Sequence, residues 1–132
     1  MIVDASAIVA ILFDEPERSA FIAAMGAAQH VGMAATTWVE ASMVVDRHGD
    51  GSAAALFKEL MESLDIKVIA FTAAHGVAAR AAFNAYGRGS GHPAKLNYGD
   101  CMAYAVATFE GEPLLFKGED FAATNIVPAL GN

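Results

Sequence analysis

Asp4 stands between two apolar stretches in MIVDASAIVAILF, Glu40 closes TTWVE, Asp100 lies in LNYGDC, and Glu119 and Asp120 are neighbours in LLFKGEDF. Each acid has a local use. Asp4 suits an N-cap for a helix beginning near Ser6. Thr37-Trp38-Val39-Glu40 and Asn97-Tyr98-Gly99-Asp100 both have the spacing of a capping box, and Asp120 favours a helix start through the dipole alone. Together the acids have a second use. Carboxylates within a few Å of one another raise each other's pKa unless a cation sits between them, and an all-oxygen donor set is the choice of Mg²⁺ or Mn²⁺. No two of the four histidines have ligand spacing on a helix face near these acids, which argues against zinc. A divalent ion held by acids can make water nucleophilic near neutral pH and offset negative charge on a bound ligand.

For the acids to meet, the chain must bring them to one place. Apolar pattern and turn residues predict strands at Ile2–Val3, His30–Ala35, Lys67–Phe71, Pro113–Phe116 and Ile126–Val127. Helices are predicted at Ser6–Leu12, Glu17–Ala28 after Pro16, Thr37–His48 ended by Gly49, Ser52–Ser63, Thr72–Tyr86 and Asn97–Phe109, the last with Met102, Val106 and Phe109 on one face. Glu119–Ala123 reads as a helical turn and GRGSGHPAK as a flexible loop. This alternation predicts a three-layer α/β/α sandwich with a short, mainly parallel central sheet. In such folds helix amino ends gather at the carboxyl edge of the sheet, where ligands bind. Asp4, Glu40, Asp100 and the Glu119–Asp120 pair all fall there.

One hundred and thirty-two residues, 55% of them hydrophobic, suit a single domain over 1–132. The longest apolar run, Ala7 to Phe13, is too short to cross a bilayer and has no charged segment before it, so a soluble cytoplasmic protein is expected. A single cysteine, Cys101, excludes an internal disulfide and a cysteine-rich zinc site. The mean hydropathy, +0.39, is high for a monomer and points to a covered apolar face, as in a homodimer. A net charge of −7 argues against a nucleic-acid ligand at face value, but residues 66–99 hold no acid and carry +4, leaving −11 for the rest. Lys67, Arg80, Arg88 and Lys95 make that segment cationic, and Arg88 and Lys95 lie in the glycine-rich loop just before LNYGDC. Tyr98 beside them suits stacking on an unpaired base; Tyr86 and Trp38 read as packing residues and His92 as a solvated loop residue.

The block order Asp4-Ala5-Ser6, Glu40, LNYGDC and LLFKGEDFAATNI resembles the PIN-domain ribonucleases, specifically the VapC toxins of toxin–antitoxin pairs, from Asp4 to Ile126. The resemblance implies an α/β/α endoribonuclease that cuts RNA, in tRNA or ribosomal RNA, with Mg²⁺ or Mn²⁺, leaving a 5′-phosphate and a 3′-hydroxyl. It carries the catalytic and metal-site acids onto Asp4, Glu40, Asp100 and Asp120, with Glu119 as the alternative to Asp120. Ser6 and Asn97 become accessory residues that orient a ligand or water. Asn125 stands where the family block often has an aspartate. A VapB-like antitoxin is the implied partner. Two other readings fit the same acids: a phosphoryl-transfer α/β domain, for which Lys117 after a strand is the best support, and a non-catalytic module whose acids receive a basic partner segment.

Overall fold

The computed structural model describes residues 1–48 and 50–131. Gly49, read above as a helix stop, lies outside the described residues. The element order is β1 (Ile2–Val3), α1 (Ala5–Leu12), α2 (Arg18–Ala27), β2 (Gly32–Ala34), α3 (Ala35–Asp46), α4 (Ser52–Ser63), β3 (Lys67–Ile69), α5 (Ala73–Tyr86), α6 (Tyr98–Glu110), β4 (Leu114–Leu115) and a 3-10 turn, Phe121–Ala123. The strands form one parallel sheet in the order β3-β2-β1-β4.

Strand side chains alternate between faces, and in β1, β2 and β4 both faces are buried, so short runs of consecutive apolar residues suffice, while the edge strand β3 is largely exposed. Val3, Met33 and Leu115 enter one core with residues of α1 to α4; Ile2, Ala34 and Leu114 enter the other with residues of α5 and α6. That is the three-layer sandwich expected from the sequence. Among the described residues no helix is long and apolar enough to cross a membrane. Crossovers from β1 through β2 to β3 run one way and β4 lies on the other side of β1, so the order reverses between β1 and β4. Such a reversal opens a crevice at the carboxyl ends of the two strands.

Four local expectations change. First, α3 begins at Ala35 with Ala34 as an N-cap that offers no side-chain bond. Strand β2 runs into α3 with no intervening loop, so Thr37 lies inside the helix, fully buried, and the capping box expected at Thr37 to Glu40 does not form. Second, α6 is buried nearly all round on small residues, Ala103, Ala105 and Ala107 among them, while Phe109 is exposed. Third, the segment near Ile126 and Val127 makes a single bridge, Leu114 to Pro128, rather than a strand, because Pro128 has no N–H to continue a ladder. Fourth, GRGSGHPAK is a pinned loop. Arg88 N donates to Leu96 O (3.0 Å), Leu96 N donates to Tyr86 O (2.9 Å), and Ala94 and Leu96 are buried. His92 is drawn in with it: its ring packs edge-on against Tyr86 and its Nδ1 accepts Ala94 N–H. Tyr86 also packs near Tyr104, as a packing residue should.

Candidate metal centre

Asp4 follows β1 and is only 4% exposed. It caps α1 as the sequence predicts: its Oδ2 accepts Ser6 N–H (2.9 Å) and the Ser6 hydroxyl (2.6 Å). Ser6 Oγ in turn accepts Lys117 N–H from beyond β4 (3.0 Å). The serine therefore holds Asp4 and the loop after β4 together. Burial raises the Asp4 pKa, and the Asp100 charge adds to it against the two Ser6 bonds.

Asp100 sits in the first turn of α6 in a complete capping box. Asn97 Oδ1 accepts Asp100 N–H (2.8 Å) and Asp100 Oδ2 accepts Asn97 N–H (2.8 Å). Asn97 thus fixes the orientation of Asp100. Burial holds the Asp100 carboxyl above its usual range, the Asn97 bond lowers it, and the Asp120 charge raises it and the Arg88 charge lowers it.

Glu40, relieved of capping by the early start of α3, lies against the amino end of α6. A Cβ built on Gly99 would stand 2.6 Å from both Glu40 carboxylate oxygens. Glycine at 99 is what lets that carboxylate approach Asp100. Its pKa is pushed up to about 7, by burial first and then by the charges of Asp4 and Asp100.

Of the adjacent acids, Asp120 is the one whose charge reaches Asp100, while Glu119 lines a separate groove with Glu17, Phe21 and Lys117. The Lys117 ammonium donates to Glu15 and forms an ion pair with Glu17 (3.0 Å), not with Asp4. A receiver-type phosphate site would want that ammonium beside the aspartate, so the feature that most favoured phosphoryl transfer is otherwise engaged. Arg88 and Lys95 are exposed on the pinned loop and Tyr98 is 77% exposed beside Asp100. Trp38 is partly covered at a groove of about 430 Å³ between α3 and α4, with Val45, Phe57 and Met61. Asn125, in place of the expected aspartate, accepts the Tyr104 hydroxyl proton.

Among the described residues none of Asp4, Glu40, Asp100 and Asp120 makes an ion pair. Nor do any three histidine, cysteine or acidic side chains among them form a ready ligand cage. The acids offer oxygen donors only, and the pKa values of Asp4, Glu40 and Asp100 are raised by burial and by neighbouring carboxylates. That donor chemistry fits Mg²⁺ or Mn²⁺, since Mg²⁺ keeps several waters and takes only one or two protein carboxylates. The Cys101 thiol next door, with its pKa pushed up to about 11 by burial, is no thiolate ligand.

Residues 1–127 match the family model for the PIN domain. The chain is 43% identical over 130 residues to Ribonuclease VapC28 of Mycobacterium tuberculosis, covering 98% of each. It is 42% identical over 129 residues to Ribonuclease VapC42 of the same organism, again 98% of each. A solved structure described as a toxin-antitoxin complex from Klebsiella pneumoniae shares the fold, with a TM-score of 0.70 at 15% identity over 98% of this chain and 97% of that one.

Proposed function

The chain belongs to the PIN domain family, and on that premise we propose that it is a metal-dependent endoribonuclease toxin of a toxin–antitoxin pair. The observation that carries the proposal is the charge imbalance at the carboxyl edge of the sheet, where three carboxyls are held above their ordinary pKa with no ion-pair partner among the described residues. Mg²⁺ or Mn²⁺ bound there supplies an activated water and charge compensation at phosphorus. Asp4, through the Oδ1 that the Ser6 bonds leave open, and Asp100, through the Oδ1 left by Asn97, are its principal holders. Glu40 and Asp120 hold further ligands around them. Ser6 and Asn97 keep the first two acids oriented, and Glu119 stays outside.

The substrate is an RNA, of tRNA or ribosomal type, cut to a 5′-phosphate and a 3′-hydroxyl in the cytoplasm. Arg88 and Lys95 meet its backbone and Tyr98 stacks on an unpaired base. A VapB-like antitoxin silences the enzyme by covering apolar surface and offering an Arg or Lys to the acids. The exposed Trp38, Val39 and Met43 of α3 and Val77 and Phe83 of α5 supply apolar surface for it and for a second copy of the single 1–132 domain. Light scattering at micromolar concentration should report a dimer; a monomer removes that part.

The deciding experiment is RNA cleavage with Mg²⁺, Mn²⁺ or chelator by the parent, Asp4→Asn and Asp100→Asn. Asparagine also caps helices, so both variants should fold. Loss of cleavage in folded variants supports the assignment, and parental cleavage in both overturns it.

A further inference from the structure

The structure assigns Lys117 a positioning role: its ammonium, bracketed by Glu15 and Glu17, fixes the loop after β4 so that its own N–H orients Ser6 and thereby Asp4. This inference rests on the metal-site reading above and extends it to three residues that reading does not use.

Residues 116–121 form an arch whose feet, Phe116 and Phe121, pack ring to ring with centroids 5.1 Å apart. Its crown is Lys117, Gly118, Glu119 and Asp120. Gly118 has φ +105 with no atom within 4 Å of a built Cβ, so neither a rigid residue nor packing holds the crown at that point. What holds it is Lys117, at both ends. The backbone N–H donates to Ser6 Oγ (3.0 Å), and the ammonium reaches Glu15 and Glu17 across the connection between α1 and α2. That connection is a firm anchor. Pro16 restricts it between the two glutamates, and Glu15 N donates to Ala10 O (2.9 Å), tying it to the end of α1.

The bond to Ser6 matters because a hydroxyl has one proton and rotates to suit its surroundings. By accepting the Lys117 N–H, Ser6 Oγ is left to donate to Asp4 Oδ2, the 2.6 Å bond, and Asp4 keeps Oδ1 toward the site. The same crown carries Asp120. The three clamp side chains are each about a third exposed (36%, 33% and 40%), so as ion pairs they add little to stability. Their effect is on geometry.

The sign of one measurement separates this role from charge alone. Removing a cation near a metal site should tighten metal binding by simple electrostatics, whereas releasing the clamp should weaken it. Mn²⁺ binding to the RNA-free full chain, read by electron paramagnetic resonance, is compared for the parent, Lys117→Met, Lys117→Arg and Asp4→Asn. We expect Lys117→Met to bind about tenfold more weakly, at the low end for groups supporting metal ligands, with its circular dichroism unchanged. Lys117→Arg should bind as the parent does, and Asp4→Asn should not bind. Equal or tighter binding by Lys117→Met, with Asp4→Asn inactive, overturns the clamp alone; a folded parent that binds no Mn²⁺ overturns the metal reading and the clamp with it. Should Lys117→Met not fold, amide exchange at residue 117 in Glu15→Gln/Glu17→Gln decides. Exchange faster by about an order of magnitude supports the clamp, and parental protection overturns it.

Discussion

The two edges of the sheet treat their acids in opposite ways. At the amino edge, just before β4, Glu112 pairs with the Met1 ammonium (2.9 Å) and with His30 Nε2 (3.0 Å), and these partners hold its pKa below the usual carboxylate range. At the carboxyl edge Asp4, Glu40 and Asp100 have no such partner among the described residues, and burial and mutual repulsion move their pKa the other way. Acids compensated inside the chain are structural. Acids left uncompensated and close together favour either a bound proton or a cation between them, and the difference marks the carboxyl edge as the candidate site.

The largest expected effect tests the uncompensated edge. Asp4→Asn and Asp100→Asn should each lower RNA cleavage at least about a hundredfold, as loss of a transition-state charge stabiliser does. Without metal they should melt no lower than the parent, because each removes a repelled charge and keeps a capping oxygen. A large loss of metal-free stability would show that these acids are structural after all.

Gly99→Ala comes next. Alanine is the better helix former, yet its methyl would press on the Glu40 carboxylate. Cleavage should fall about tenfold or more while the melting temperature changes little; parental activity would separate Glu40 from the site.

The edges should also differ in their response to pH. Glu40 titrates near 4.5 unfolded and about 7 folded, so the folded state binds the extra proton between those values and stability falls as pH rises through that window. Asp4 and Asp100, also raised, act in the same direction. With solvent screening of a half-exposed group the Glu40 share is about 1 kcal/mol, a few degrees of melting temperature. Glu112 acts oppositely: its contribution is present above its unfolded pKa and is lost as pH falls. Melting curves should therefore drop from pH 6 to pH 8 without metal, and Mn²⁺ should restore the loss at pH 8. The smallest effect is that of Glu112→Gln, which should cost no more than about 1 kcal/mol and leave cleavage unchanged.

Much of the site was legible because its determinants are local. Asp4 before Ser6, and Asn97 three residues before Asp100, are cap patterns that a linear reading catches. Thr37 and Glu40 present the same pattern and mislead, since a strand feeding straight into a helix leaves no room for a cap at Thr37. Glu40 reaches the carboxyl edge as a residue inside α3, not as part of a cap. Ser6 could not be read as the holder of Asp4 against the arch, because its second partner lies 111 residues away. The close approach of Glu40 to Gly99 also has no trace in one dimension. Nor was the capping box at Thr72 and His75 visible, where His75 Nδ1 accepts the Thr72 N–H in place of the usual glutamate.

The strand order bears on which parts of the chain the site needs. Ile2 and Val3 lie beside Leu114 and Leu115, so two segments more than a hundred residues apart in the sequence complete one another's pairing. That pairing, with the Lys117 N–H to Ser6 Oγ bond, sets Asp4 beside the Asp120 arch. A fragment that lacks β4 therefore lacks the pairing that carries Asp4 beside the Asp120 arch.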